Sequence, residues 1–294
     1  MTKTKKDPGF DMDGDTFLKA AIAQAQRESG KPGAKSKDID AMLGNPLHGA
    51  IRTNCMELFD VLLAQGVNID STNQYGDNTI HTAINQRKHN FLRRLIESGA
   101  ALDKPDRHGR SPVFLAVTLD DNDALKMLLD AGFAPSSSTK TTSTAIHSAV
   151  VRGNEEAVRL LLDAGVAIDI PAPIHRNKTP LHLAAAYGRK AIIELLAAAG
   201  ANLSARMDEG YLPIHCTKIQ KYESPSEREG GIAAFEALLE AGSPFELIET
   251  DDHFNSKDWN EAAQGLYSAH LKADIEDSLA GIKATKPPRS GLSL

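Results

Sequence analysis

TPLHLAAAYG, residues 179–188, is the stretch that decides the fold. The Thr179 hydroxyl suits the position just before a helix, where it can satisfy a free backbone N–H. Pro180 suits the first helical position, because its φ is already fixed and its missing N–H would have had no partner there. Leu and Ala dominate the residues that follow, and both favour packed helices. Gly188 then supplies the left-handed backbone that lets the helix turn back.

The same pattern recurs along the chain. NPLHGA (45–50), NTIHTA (78–83), SPVFLA (111–116), TAIHSA (144–149), TPLHLA (179–184) and LPIHCT (212–217) place one position at His48, His81, Phe114, His147, His182 and His215. The intervals are 33, 33, 33, 35 and 33 residues. A second marker has the same period: glycines at 66, 99, 132, 165, 200 and 242 follow that position by 18 residues in five units and by 27 in the sixth. Three, four, seven and eight residues before each glycine the side chain is always apolar, from Leu63, Leu62, Phe59 and Leu58 to Leu239, Leu238, Phe235 and Ala234. Those spacings share one face of an α-helix, and that face must meet a neighbouring unit.

The unit resembles the ankyrin repeat, whose consensus opens Thr-Pro-Leu-His-x-Ala, over roughly residues 45–247. The resemblance implies an all-α repeat solenoid in which each unit gives two antiparallel helices followed by a β-hairpin finger. One such helix pair cannot bury its own apolar face, so stability comes from stacking, and six units exceed the minimum of about three. The expected order is a flexible N-terminus (1–14), a helical cap and linker (15–44), six repeats (45–73, 74–106, 107–139, 140–175, 176–207 and 208–247), a C-terminal helical cap (248–283) and a flexible tail (284–294). Asp15 is the expected N-cap of the first cap helix. Trp259, Leu266, Tyr267, Leu271, Ile275 and Leu279 form the apolar set of the last, over one or two helices in 256–282.

Departures from the pattern carry information. Phe114 takes the histidine position in the third unit, and Asn54, Arg87 and Asp120 stand where Gly153 and Gly188 turn the first helix. Arg tolerates a left-handed turn less well than Asn or Asp, which predicts local strain at Arg87. Two residues are inserted in IDIPAPIHRNK (168–178), and nine between the helices of the sixth unit, in KIQKYESPSEREGG (218–231), whose composition predicts an exposed loop.

Composition bounds the chemistry. The chain has 294 residues, 41% hydrophobic and 5% aromatic, with a formal charge of −6, which argues against broad nucleic-acid binding. No run of 18 apolar residues occurs and the N-terminus has no apolar signal core, so no membrane role and a cytoplasmic location are expected, with a translocated effector as the alternative. Cys55 and Cys216 are expected to be buried free thiols. DMDGD (11–15) lacks the Gly and Glu of a calcium loop, and SGKPGAKS (29–36) lacks the adjacent Gly-Lys-Ser of a phosphate loop. The histidines recur too far apart to share a metal or a proton relay, and the family uses them structurally. No cofactor, no metal and no small-molecule substrate are expected, and the chain is not expected to be an enzyme.

The resemblance implies a partner in the concave groove formed by finger tips and the exposed face of each first helix. Carried onto this chain, those positions include Arg52, Tyr75, Arg107, His108, Arg110, Lys140, Arg152, Arg176, Lys178, Tyr187 and Tyr211, and in the sixth unit Ile219 and Gln220. Seven basic groups there face only Asp77, Asp208 and Glu209, so the expected partner is a protein with an acidic surface. Arg107, Arg110, Arg176, Tyr187 and Tyr211 are the expected anchors. The function expected is a scaffold, adaptor or inhibitor. A secreted effector or a toxin-neutralising immunity protein would use the same groove, and an enzyme would need a site in the C-terminal helices.

Overall fold

The computed structural model describes residues 45–101, 103–133, 144–220, 223–245 and 256–284, with the side chains of the last stretch described over 258–273. The N-terminal cap with Asp15, the residues around Lys140, the C-terminal tail, and the side chains of Ile275 and Leu279 lie outside the described residues. The described residues form twelve α-helices and two short 3₁₀ helices, with no named strands. Five helix pairs follow one another: α1 (Pro46–Thr53) and α2 (Met56–Ala64), α3 (Thr79–Asn85) and α4 (His89–Glu97), α5 (Pro112–Thr118) and α6 (Asn122–Asp130), α7 (Ala145–Arg152) and α8 (Glu155–Asp163), α9 (Pro180–Ala186) and α10 (Lys190–Ala198). A 3₁₀ turn at Pro213–Cys216 precedes α11 (Pro225–Glu240), and α12 (Ser256–Ala284) follows.

These residues pack as two compact units, one of residues up to Ser148 with Asp163–Val166, the other of Ala149–Leu162 with Ala167 onward. Both obey the predicted helical face. In α4, Phe91, Leu92 and Leu95 are buried, and in α10 so are Ile192, Ile193 and Leu196. The residue three before the closing glycine is half-buried in the first five repeats and buried at Leu239.

The histidines do structural work. His48 Nε2 donates to the Ser71 carbonyl at 3.0 Å, and its Nδ1 lies 2.7 Å from Thr82 Oγ1. His81 Nε2 donates to the Arg110 carbonyl at 3.0 Å. His182 Nε2 donates to the Tyr211 carbonyl at 3.1 Å, while its Nδ1 accepts the Thr179 N–H at 3.2 Å. Each Nε2 bond ties a helix start to a finger.

The turn residues behave as their chemistry demands. Asn54, Arg87 and Asp120 all adopt positive φ (58°, 51° and 51°), matching the glycines at 153 and 188. Arg87 carries the strained conformation while its guanidinium hydrogen-bonds to the Leu119 carbonyl and lies 4.0 Å from Asp121. The fingers are plainer than the resemblance implies: instead of paired strands they hold isolated bridges, Thr72 with Asn78 and Ala172 with Lys178.

The sixth repeat corrects two expectations. Its first helix is only the four-residue 3₁₀ turn, after which Thr217 is extended (φ −71°, ψ 139°). Ile219 and Gln220, expected on an exposed helix face, are instead buried at 1% and 4% exposure. The predicted 218–231 loop is half helix, since Ser224 caps α11 by accepting from the Glu227 N–H and Pro225 occupies its first position. α11 therefore runs sixteen residues where the other second helices run nine. Cys216 is buried as expected, but Cys55 is only half-buried at the N-cap of α2; both thiols are free.

α12 is one helix where one or two were expected. Trp259 is fully buried, its ring 5.2 Å from that of His215, and its indole N–H donates to the Thr217 carbonyl at 3.2 Å. Tyr267 stacks on Phe245 at 4.2 Å, whereas Leu271 is 44% exposed.

Candidate functional site

Three fingers are each built around one residue whose backbone N–H bonds the carbonyl four positions on: Asn73 to Asp77, Asp106 to Arg110, Met207 to Tyr211. In the first two, the side chain of that residue also holds the turn. Asn73 Oδ1 accepts the N–H groups of Tyr75 at 2.8 Å and Asp77 at 3.0 Å. Asp106 Oδ1 accepts those of His108 and Arg110, both at 2.8 Å, and its Oδ2 accepts Arg110 Nε at 2.6 Å. Burial alone would raise the Asp106 carboxyl; the Arg110 and His108 bonds overcome it and hold the group below its ordinary range. Arg110 is thus engaged by its own finger.

In the first unit the tip residues converge on Tyr75, which is 52% exposed. The Arg107 guanidinium lies 5.8 Å above its ring, and Arg107 Nε donates to His108 Nε2 at 2.9 Å. A groove of about 210 Å³ beside Tyr75 is lined by Arg52, Asp77, Thr82, Asn85 and Gln86. It is polar, with one cation facing one carboxylate.

The second unit holds a larger groove of about 580 Å³. Four of the predicted residues meet there: Arg176, Lys178, Tyr187 and Tyr211. Tyr187 is exposed at the end of α9, and Ile174, on a 3₁₀ turn at Pro173–His175, is 55% exposed opposite the fingers' usual polar character. Met207 and Cys216 lie buried beneath, with Sγ and Sδ 4.0 Å apart. Burial pushes the Cys216 thiol up to about 11, so it stays neutral and behaves as apolar floor. Arg176 is paired with Glu209 at 2.5 Å and Lys218 with Glu227 at 2.9 Å. Lys178 makes no ion pair among the described residues.

The sequence reading placed the four rim residues and missed the floor. The signal was present: Met207 stands where Asn73 and Asp106 stand in the other fingers, and Ile174 sits in the two-residue insertion. Of the other predicted residues, Arg152 is exposed in the last turn of α7, and Lys140 lies outside the described residues. No group of three or more His, Cys, Asp or Glu side chains is arranged to hold a metal among the described residues, and none of their helices is long and apolar enough to cross a membrane.

The family profile described as ankyrin repeats in three copies matches residues 47–139 and again 120–207. The chain belongs to the ankyrin-repeat family. Among solved structures, the ankyrin repeat domain of Bcl-3 is similar at 26% identity and a TM-score of 0.59, covering 68% of this chain and 86% of its own. An ankyrin repeat domain from Acinetobacter baumannii is similar at 27% identity and 0.59, with 68% and 98% covered. The human ASB11 ankyrin repeat domain shares the fold at 24% identity and 0.59, over 76% and 96%. No curated protein sequence matches the chain. Ankyrin repeats generally mediate protein–protein interaction and are typically not enzymes, so this chain is a protein-binding solenoid.

Proposed function

We propose that the protein is an adaptor, scaffold or inhibitor that grips an acidic protein surface through finger tips and first helices. The observation that carries this is the groove of the second unit, where Tyr187 and Tyr211 flank an apolar floor and Lys178 stands at the rim without a carboxylate partner among the described residues. Exposed aromatic side chains beside cations are the residue types that anchor interfaces. Tyr75 under Arg107 repeats that pairing in the first unit. On this reading residues 45–247 are the interaction module, capped by 15–44 and 248–283, and the free thiols suit a reducing cytoplasm.

The test is affinity capture from a lysate of the native source with the full chain as bait, wild type beside an Arg107→Glu, Lys178→Glu, Tyr187→Ala variant whose fold is checked by circular dichroism. An acidic protein held by the wild type and lost by the folded variant is the expected result. The same set of proteins on both baits overturns the assignment.

A further inference from the structure

Five repeats open on an α-helix of seven or eight residues, and the sixth does not. Its helical turn stops at Cys216, and the chain crosses in extended form through Thr217 before α11 begins at Pro225. α11 starts early enough to bring Gly230 against Gly188 and Gly231 against the Lys218 backbone. Beside the missing part of the first helix the groove of about 580 Å³ forms a notch lined by Met207, Cys216 and Lys218. Met207 deepens its chemistry. The equivalent Asn73 and Asp106 turn their oxygens inward to hold the finger, while Met207 contributes a thioether to the notch floor. Two of the four exposed large hydrophobic side chains among the described residues, Ile174 and Tyr187, stand on its walls.

The charges around the notch are unequal in their availability. Arg176 and Lys218 are neutralised by Glu209 and Glu227. Lys178 is the remaining cation, near enough that its field acts on His182 and Cys216, where burial is the larger influence, and Glu223 lines the groove near Lys218. A ligand that places a cation beside Lys178 is repelled. A ligand with an apolar group for the floor and an anion for the rim satisfies both surfaces.

We propose that this notch is a pocket for an acidic peptide segment of the partner, seating one aromatic side chain on Met207 between Tyr187 and Tyr211, with a neighbouring carboxylate paired to Lys178. This rests on the protein-binding function above and adds the chemistry of the recognised segment. Thioether–aromatic contact is favourable with the sulfur about 5 Å from the ring, and a volume near 580 Å³ lies in the range of roughly 300–1,000 Å³ that encloses a bound group. The carboxylate adds direction, since a charge-assisted hydrogen bond is about twice as strong as a neutral one.

The probe is the peptide acetyl-Gly-Glu-Phe-Glu-Gly-amide, titrated into full-length protein carrying ¹³C-labelled methionine and isoleucine methyls. The expected result is a saturable ring-current shift of the Met207 methyl, with affinity falling about tenfold when both Glu become Gln. Replacement of Phe by Ala removes the shift. In a Lys178→Gln protein the Glu and Gln peptides bind equally, while Lys126→Gln, at an exposed position of α6 away from both grooves, changes nothing. The absence of a Met207 shift at millimolar peptide, or equal binding of the two peptides to the wild type, overturns the proposal. Displacement of the peptide by a decauridine at lower concentration also overturns it, in favour of a nucleic-acid site. The two readings fail separately. A captured protein lost by Arg107→Glu but retained by Lys178→Gln refutes the notch and leaves the protein-binding function standing, whereas capture indifferent to both refutes both.

Discussion

Gly231, in the second turn of α11, lies so close to Lys218 that a Cβ added there would fall 2.1 Å from the Lys218 carbonyl oxygen. No side chain fits that gap without moving the backbone. In an ordinary helix, replacing Gly with Ala is stabilising by about 1 kcal/mol. Gly231→Ala should do the opposite, costing about 3 kcal/mol as α11 is pushed from the notch. Gly265→Ala is the control, because Gly265 is an exposed position in α12 with open space around its Cα, and it should raise stability. Urea unfolding of the two variants checks the inversion of sign; equal effects would show that the close approach is relieved at no cost.

Asp106 anchors the finger that carries Arg107 and Arg110. Its carboxylate is buried and accepts three hydrogen bonds, so Asp106→Ala leaves two N–H groups and a guanidinium without their acceptor. Removing one partner of a buried charged pair costs about 3–5 kcal/mol, reduced here because the Arg110 side chain is a third exposed and can be rehydrated. A loss of about 2 kcal/mol is expected, together with faster amide exchange at His108 and Arg110. Unchanged exchange at those two amides would mean the turn holds without its carboxylate.

The fold was legible because one pattern recurs in six units, with few departures. Thr179, Pro180, His182 and Gly188 each have a local physical reason, and recurrence at 33 residues turns those reasons into architecture. The rim of the second groove was legible for the same reason, since Arg176, Lys178, Tyr187 and Tyr211 occupy positions fixed by register. The floor was not. Met207 and Cys216 become a floor only because the sixth first helix stops after one turn, and that stop depends on Gly231 reaching Lys218 and on Trp259 bonding the Thr217 carbonyl. These are contacts across 13 and 42 residues of sequence, which periodicity cannot reveal. The loop expected over 218–231 erred for a smaller reason. Pro and two Gly suggested a break, yet Pro225 stands at a helix start and Gly231 stands where only glycine fits.

Acid should weaken the second unit through His182. Burial pushes its pKa down to about 4 from an ordinary value of 6.5, against the Tyr211 bond, which favours the charged form, and with help from Lys178, which disfavours it. The folded state therefore binds the proton less readily than the unfolded chain. The stability from the neutral ring is fully present above pH 6.5 and falls as pH drops through the interval from 6.5 to 4, the loss reaching about 3 kcal/mol once both states are protonated. His182→Gln should be less stable than wild type at pH 7.5, having lost the Thr179 and Tyr211 bonds. It should also show a flatter pH profile between 7 and 4. Parallel profiles for the two proteins would show that His182 does not titrate against folding.

The ion pair between Arg176 and Glu209 makes opposite demands on the two residues. It is exposed, so its loss should cost folding no more than about 0.5 kcal/mol. Its effect on binding should be larger. With Glu209 in place the guanidinium is neutralised; Glu209→Gln releases a second cation beside Lys178 and should strengthen retention of an acidic ligand. Arg176→Gln leaves Glu209 unpaired at the groove and should weaken it. The double variant should fall close to wild type, because the net charge at the rim is then unchanged. Binding of the acidic peptide to all four proteins, at 50 and 300 mM salt, measures this directly: the spread between the single variants should narrow at high salt as the charges are screened. An order in which both single variants weaken binding equally would mean that the pair acts by shaping the finger and that the charge of the rim is not what the ligand meets.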